Sequence, residues 1–452
     1  MIGIFVVLSF VLLYYKISKN TPLEFSFRQR RFAGLLYIAQ IFVFMLPGSV
    51  LYYYGIYNDY TTTFYVTNDN AVTTTYFVWY ALAVFIIVFA LLSKHKYYLR
   101  PKITLSKHDI RTLTLLLGIS ILCLFIVVSI FYSFGMRNAL IGSVITHENI
   151  VEIRLANRYS GIPTVIISYF IFLLHFSAIL FGASIRSLSK VKKFFYFFAL
   201  LFFMSWLGDK ALYLYIFVEI FISHIYFISI STINEHKASR TLSKSSIKLI
   251  IISIFSIVAF LIVAQLQIGF TNTHQLVGYL MGRGVLGQIA GVYEEFGLGL
   301  HDIGYALTNL PFLSFLFNHD YFNKDLMMAT WGVGLASSED TGVMNSMFIG
   351  EAFAIGGYGL VLMSPIIVAV SLFWSHSLLY WIMRKFININ RNLMKSITVF
   401  IVASTFSLAG DFGPYMFMKL AIMEILFLIS ILIIYKMMVI RTNDRCAKLL
   451  DN

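Results

Sequence analysis

The sequence predicts an all-α integral membrane protein with about eleven spanning helices and one large loop on the outer side. Three observations predict it. Hydrophobic residues make up 59% of the chain and charged residues only 12%, about half the charge of a soluble protein, and the mean hydropathy is +0.82. The apolar residues gather into runs near the ~20 residues a helix needs to cross a hydrocarbon core with its backbone polar groups satisfied internally. Most of the 34 Lys and Arg fall in alternate connections between those runs.

The runs lie near Ile2–Tyr15, Gly34–Leu51, Tyr76–Leu92, Thr112–Phe134, Pro163–Gly182, Phe194–Leu207, Ala211–Ile230, Leu249–Ile268, Phe348–Phe373, Ile397–Ala409 and Tyr415–Tyr435. The first lacks the basic segment and small-residue cleavage site of a signal peptide and is read as a span. Cys123 sits in an apolar run and Cys446 in the basic tail, which excludes a disulfide scaffold or a Cys-based metal cluster. Residues 1–268 thus form one set of spans, 269–347 a large loop, and 348–452 the last spans with a tail.

Positive charge is retained on the cytoplasmic side. Clusters such as Lys16, Lys19, Arg28, Arg30 and Arg31, or Lys94, Lys96, Arg100, Lys102, Lys107 and Arg111, recur at every second connection. They predict an N-terminus on the outer side and a cytoplasmic C-terminus. The net charge of +13 is explained by topology, so no nucleic-acid partner is expected. The cations left over, Arg137, Arg154, Arg158, Lys210, Arg283, Lys324 and Lys419, lie at or near the outer side with most of the acids, among them Glu294, Glu295, Asp302, Glu339, Asp340, Glu351 and Asp411. An outer face mixing both signs suits a charged substrate.

The loop from Gly269 to about Met347 is too long to be a plain connection. Its aromatic residues, including Tyr293, Tyr305 and Trp331, offer surface for the membrane interface or for sugar rings. Leu276 to Phe296, with glycines at 278, 282, 287 and 291, reads as one interfacial or re-entrant helix packed closely on a neighbour. Arg283 is its only cation, and an eleven-residue step sets Glu294 on nearly the same face. Arg283 has two readings: a planar fork of donors for a phosphate, or a side chain snorkelling to headgroups or paired with Glu294 or Glu295. Arg137, Arg154 and Arg158 in the Gly135–Gly161 loop fit anion binding or a salt-bridged surface helix equally. Lys210, after Gly208-Asp209 at the tip of a tight hairpin, is either a point charge for a lipid-linked phosphate or a snorkelling lysine.

Glu219 and Glu424 lie inside spans, where a carboxylate is a functional candidate by its cost. Lys419, above Glu424, is expected to pair with some carboxylate. His301-Asp302, His319-Asp320 and Glu339-Asp340 are candidate bases in the loop, although adjacent residues do not share a helix face. HExxH, CxxC and Walker patterns are missing, which argues against metalloenzyme and nucleotide-driven chemistry.

The hairpin Gly208-Asp209-Lys210, the Gly-rich segment with Arg283, the loop end Thr341-Gly342-Val343-Met344-Asn345-Ser346 and the span beginning Ile349-Gly350-Glu351-Ala352-Phe353-Ala354-Ile355-Gly356-Gly357-Tyr358-Gly359 resemble the Wzy-type oligosaccharide repeat-unit polymerases, which include O-antigen polymerases. The resemblance covers the whole topology through short motifs. It implies a GT-C-like membrane glycosyltransferase in a bacterial inner membrane, with the outer N-terminus periplasmic, working at the periplasmic face on undecaprenyl-pyrophosphate-linked oligosaccharide in surface-polysaccharide (lipopolysaccharide) biosynthesis. It implies no cofactor and no metal, with membrane lipid and a chain-length-regulating copolymerase as partners. The leaving pyrophosphate is already acidic, so the chemistry needs cations for its developing charge and a base for the attacking hydroxyl. By position, Arg283 and Lys210 would hold pyrophosphate, although relatives commonly carry Arg where Lys210 stands. Relatives often place a histidine late in the large loop where this chain has Glu339 and Asp340, so the base is ranked Asp340 and Glu339, then His301, then Glu351. The rivals are an O-antigen ligase, which differs in its acceptor, and a flippase or transporter.

Overall fold

The computed structural model describes residues 2–25, 34–59, 61, 63–94, 106–148, 150–158, 160–207, 210–231, 272–311, 313, 316–317, 321–331 and 344–450. Every regular element among them is a helix. Six are long and apolar enough to cross a membrane: Gly34–Tyr53, Asn68–Ser93, Lys107–Ser133, Thr164–Ser184, Met347–Phe386 and Lys419–Ile440. The other expected spans coincide with helices Ile2–Ile17, Lys190–Leu207, Lys210–Ser231 and Arg391–Thr405, while Leu249–Ile268 lies outside the described residues. This is a multi-pass, all-α membrane protein.

Two groups of helices make the bundle. Met347–Phe386 packs on Asn68–Ser93, Arg391–Thr405 and Lys419–Leu450, and Thr164–Ser184 packs on Lys107–Ser133 and Lys210–Ser231. Lys419–Leu450 and Arg391–Thr405 join the groups by also touching Thr164–Ser184. Helix starts are fixed where the sequence supplies short polar caps. Ser106 and Asp109 form a reciprocal capping box, and Asp109 Oδ1 also accepts the Asn390 N–H at 2.9 Å, tying two connections together. Thr67 and Asn138 cap the helices that follow them.

The helical backbone of the bundle is interrupted at three places. In Gly34–Tyr53 the turns Ala39–Met45 widen into a π-helix ahead of Pro47, whose missing N–H cannot continue the ladder. In Met347–Phe386 the backbone leaves helical geometry at Gly356 and Gly357, and Gly357 at φ 60°, ψ −156° occupies a region open essentially to glycine alone. A 40-residue helix would span ~60 Å, twice a hydrocarbon core. The break resolves the expected Phe348–Phe373 span into a short helix up to residue 355 and a long one from 358. The third interruption, residues 406–418, separates Arg391–Thr405 from Lys419–Leu450. Its backbone is satisfied by Gln40, whose Nε2 donates to the Phe406 carbonyl at 2.7 Å and whose Oε1 accepts the Leu408 N–H at 2.8 Å. Irregular backbone inside a bundle persists only where protein groups pair it in this way.

The single helix expected from Leu276 to Phe296 is instead a succession of short pieces: α-helix Thr273–Tyr279, π-helix Leu280–Val285, a 3₁₀ turn Leu286–Gln288 and α-helix Ala290–Leu298. Glycines at 278, 282, 284, 287 and 291 give the segment little resistance to such changes. Gly291 also serves close approach, since a Cβ there would stand 2.7 Å from the Asn345 carbonyl.

Candidate functional site

Three segments meet at the loop end of the bundle: the loop helices Ala290–Leu298, Gly304–Thr308 and Phe322–Trp331, the start of Met347–Phe386, and the interrupted stretch 406–418. Two residues there, Met347 at φ 46° and Met418 at φ 53°, hold a left-handed backbone that is costly for a side chain of their size. The tertiary structure imposes this strain on both sides of one polar cluster.

Glu351 is at its centre, 1% exposed. Asn309 Nδ2 donates to its Oε1 at 2.7 Å and the Gly413 N–H donates to its Oε2 at 2.6 Å. Gly413 is required for this contact, because a Cβ would collide with the Asn309 amide at about 2 Å. Asp411, two residues earlier, accepts from Asn323 Nδ2 at 2.5 Å and from Ser346 Oγ at 3.3 Å. Burial pushes its carboxyl up to about 6, opposed by those two hydrogen bonds and by the charge of Lys419. Lys419 lies within electrostatic reach of both Glu351 and Asp411.

The cluster continues toward Arg283. Asn345 Nδ2 donates to Gln288 Oε1 at 3.3 Å, and Gln288 Nε2 donates to the Arg283 carbonyl at 2.9 Å. The Asn345 carbonyl in turn accepts the Gly291 N–H at 2.9 Å. A continuous polar path therefore runs from the Arg283 turn through Gln288, Asn345 and Ser346 to Asp411. The Arg283 side chain is exposed, and no ion pair with Glu294 or Glu295 forms. The helix breaks remove the shared face, and Glu294 instead accepts the Phe64 and Tyr65 N–H groups, each at 2.9 Å. Glu295 is fully buried, and burial pushes its carboxyl up to about 9, opposed by the Leu300 N–H.

The remaining candidates lie elsewhere. His301 is exposed, with its ring 4.9 Å from that of Phe353 in an aromatic group with Phe296 and Tyr358, away from the hydrogen bonds of Glu351. Asp302 Oδ1 accepts the Gly304 N–H at 2.7 Å, just ahead of the short helix that begins there. Tyr293 is buried, stacked on Tyr52 at 3.7 Å with its hydroxyl 3.0 Å from Thr75 Oγ1, so it packs the core rather than facing solvent. Arg137 makes a bidentate pair with Glu148 at 2.9 and 3.3 Å on the surface. Arg154 and Arg158 belong to the adjoining short helix Ile150–Arg158, where Arg154 is partly buried. Lys210 opens the helix Lys210–Ser231, and the tip Gly208-Asp209 lies outside the described residues, as do Glu339, Asp340 and the start of the Thr341–Ser346 motif.

Of the expected residues, the structure brings Glu351, Asn345 and Ser346 together and links them to the Arg283 turn. It adds Asn309 and Asn323, and it brings in Asp411 from the outer-side acids and Lys419, the cation expected near a carboxylate. The signal for Asp411 was a Gly410-Asp411-Phe412-Gly413-Pro414 sequence between two apolar runs, turn-forming residues flanking one acid. Comparison of the chain with protein-family models, with curated proteins and with solved structures gives no match.

Proposed function

We propose that this protein is a polymerase that joins undecaprenyl-pyrophosphate-linked oligosaccharide repeat units into O-antigen or a related surface polysaccharide. It is a GT-C-like glycosyltransferase of the bacterial inner membrane, with about eleven spans and its large loop in the periplasm. The observation that carries the reading is the polar path at the loop end, which sets an exposed arginine turn and a carboxylate cluster on one connected support. Glycosyl transfer from a pyrophosphate needs those two kinds of group, a cation for the departing charge and a base for the incoming hydroxyl. In this reading Arg283 and Lys210 hold pyrophosphate and a copolymerase sets chain length.

A flippase is the second reading, favoured by the interruptions at Gly356–Gly357 and at 406–418, since broken helices also build transporter sites. An O-antigen ligase would share the chemistry and differ in its acceptor. The test is complementation of a deletion strain with Arg283→Ala and Lys210→Ala. Each is expected to reach the membrane and to leave only a single repeat unit on the surface glycolipid. Normal ladders from both variants would overturn the pyrophosphate assignment.

A further inference from the structure

The two carboxylates of the loop-end cluster are held differently, and the difference assigns them different work. Glu351 is sealed from solvent, and each of its oxygens accepts a short, direct hydrogen bond, one from Asn309 and one from the Gly413 backbone. Such a group is an anchor. It fixes the backbone at Gly413, two residues beyond Asp411, and through Asn309 it fixes the loop helix Gly304–Thr308.

Asp411 is only partly buried. Its Oδ2 is oriented by Asn323, while its Oδ1 has only a long 3.3 Å contact from Ser346. The Oδ1 therefore keeps accepting capacity for a better donor. Beside it, Asn323 Oδ1 is shielded from solvent and has no hydrogen-bond partner among the described residues. An acceptor buried without a donor costs about 1–3 kcal/mol, so this is a position that an incoming hydroxyl or water would satisfy. The flanking left-handed residues Met347 and Met418 show that the packing holds this arrangement against local preference. Lys419, within reach of the carboxylate, offsets a negative charge there.

We infer that Asp411 is the base of the transfer reaction, taking the proton of the acceptor-sugar hydroxyl, with Glu351 as the positioning residue that holds the Asp411 segment in place. The inference rests on the polymerase reading. In the step, the acceptor hydroxyl oxygen forms a bond to the anomeric carbon of the donor glycan. The bond from that carbon to the pyrophosphate oxygen breaks, and its electron pair leaves with the undecaprenyl pyrophosphate. The hydroxyl proton passes to Asp411 Oδ1, and water or the departing pyrophosphate removes it afterwards. A carboxyl that ionises near pH 6 is charged and available at neutral pH.

The test uses full-length protein in lipid nanodiscs and, as probe, the lipid-linked repeat unit extracted from a strain lacking the gene. Asp411→Asn is expected to slow chain extension by about 10²–10⁴-fold while still binding the probe, and Asp411→Glu to recover part of the rate. The wild-type rate is expected to climb about tenfold per pH unit up to about pH 6 and then level off. Extension by Asp411→Asn at the wild-type rate would overturn the assignment. So would a wild-type rate that falls as pH rises from about 5 to 7, since a carboxylate base gains activity on ionising, and this decides the matter even if the Asn variant fails to fold. A wild-type protein that binds the probe and never extends it would sink the polymerase reading itself, and the Asp411 assignment with it.

Discussion

Two pairs of ionisable side chains, one in the middle of the bundle and one at its loop end, follow opposite designs. Between helices Thr164–Ser184 and Lys210–Ser231, His175 Nδ1 stands 2.8 and 2.9 Å from the two carboxylate oxygens of Glu219, and both residues are almost completely buried. The pair is closed: partners face each other across two uninterrupted helices, among apolar neighbours. At the loop end, Asp411 and Glu351 lie among interrupted backbone, with an acceptor on Asn323 left over and a long contact at Ser346. Burial alone therefore does not mark a working carboxylate. The distinguishing feature is whether the surrounding protein uses up its hydrogen-bonding capacity. A closed pair holds helices in register, and an open one keeps hydrogen-bonding capacity for a further donor.

The comparison predicts that the two places fail differently. The largest effect is on activity: Asp411→Asn abolishes polymer formation on the surface-glycolipid gel, yet the purified variant melts at a higher temperature than wild type at neutral pH. The sign follows from the raised carboxyl, since ionising a group that folding holds above its ordinary value removes stability as pH rises through about 6, and asparagine does not ionise. Next, Glu219→Ala leaves His175 facing an emptied buried site and costs about 3–5 kcal/mol, read as a lower melting temperature, with chain extension by the surviving folded protein little changed. Replacing His175 and Glu219 together with leucine is expected to restore most of that loss. If Glu219→Ala instead kills activity in well-folded protein, the closed pair is not structural and the contrast breaks.

A third prediction concerns Glu295, which is neither closed nor exposed to a substrate. Its carboxyl is raised to about 9, so the stability linked to its proton is complete below the ordinary carboxylate range and is lost progressively as pH climbs toward 9. The wild-type melting temperature should fall over that range more steeply than that of Glu295→Gln; parallel curves would remove Glu295 from the account. The smallest effect is at Arg137. Arg137→Ala breaks an exposed pair with Glu148 and should change stability by no more than about 1 kcal/mol.

How much was legible in the sequence depended on whether the signal was periodic or tertiary. The apolar runs follow from transfer energetics, and the helices Asn68–Ser93, Lys107–Ser133 and Thr164–Ser184 end near the ends of those runs, although the first two begin earlier, at the caps Thr67 and Ser106. The Leu276–Phe296 segment misled because its apolar composition suits a helix, whereas its glycines let the backbone switch between α, π and 3₁₀ turns to meet Asn345 and the strand of loop at Phe64 and Tyr65. Glu351 was visible as an acid next to an apolar span. Asp411 was visible only as one of the acids of the outer side, because its partners Asn323 and Ser346 are 88 and 65 residues away. Tyr293 shows the reverse error, since an aromatic in a loop looked available for sugar until Tyr52 and Thr75 enclosed it.

The most direct test of the central claim is to delete the gene in its host and run the surface glycolipid on a gel beside a strain carrying a plasmid copy. The account predicts that the ladder collapses to a single repeat unit on the lipid core, because export and attachment still operate and only joining is lost. An unchanged ladder, or loss of the single-unit band as well, would contradict it, the latter in favour of a flippase or ligase.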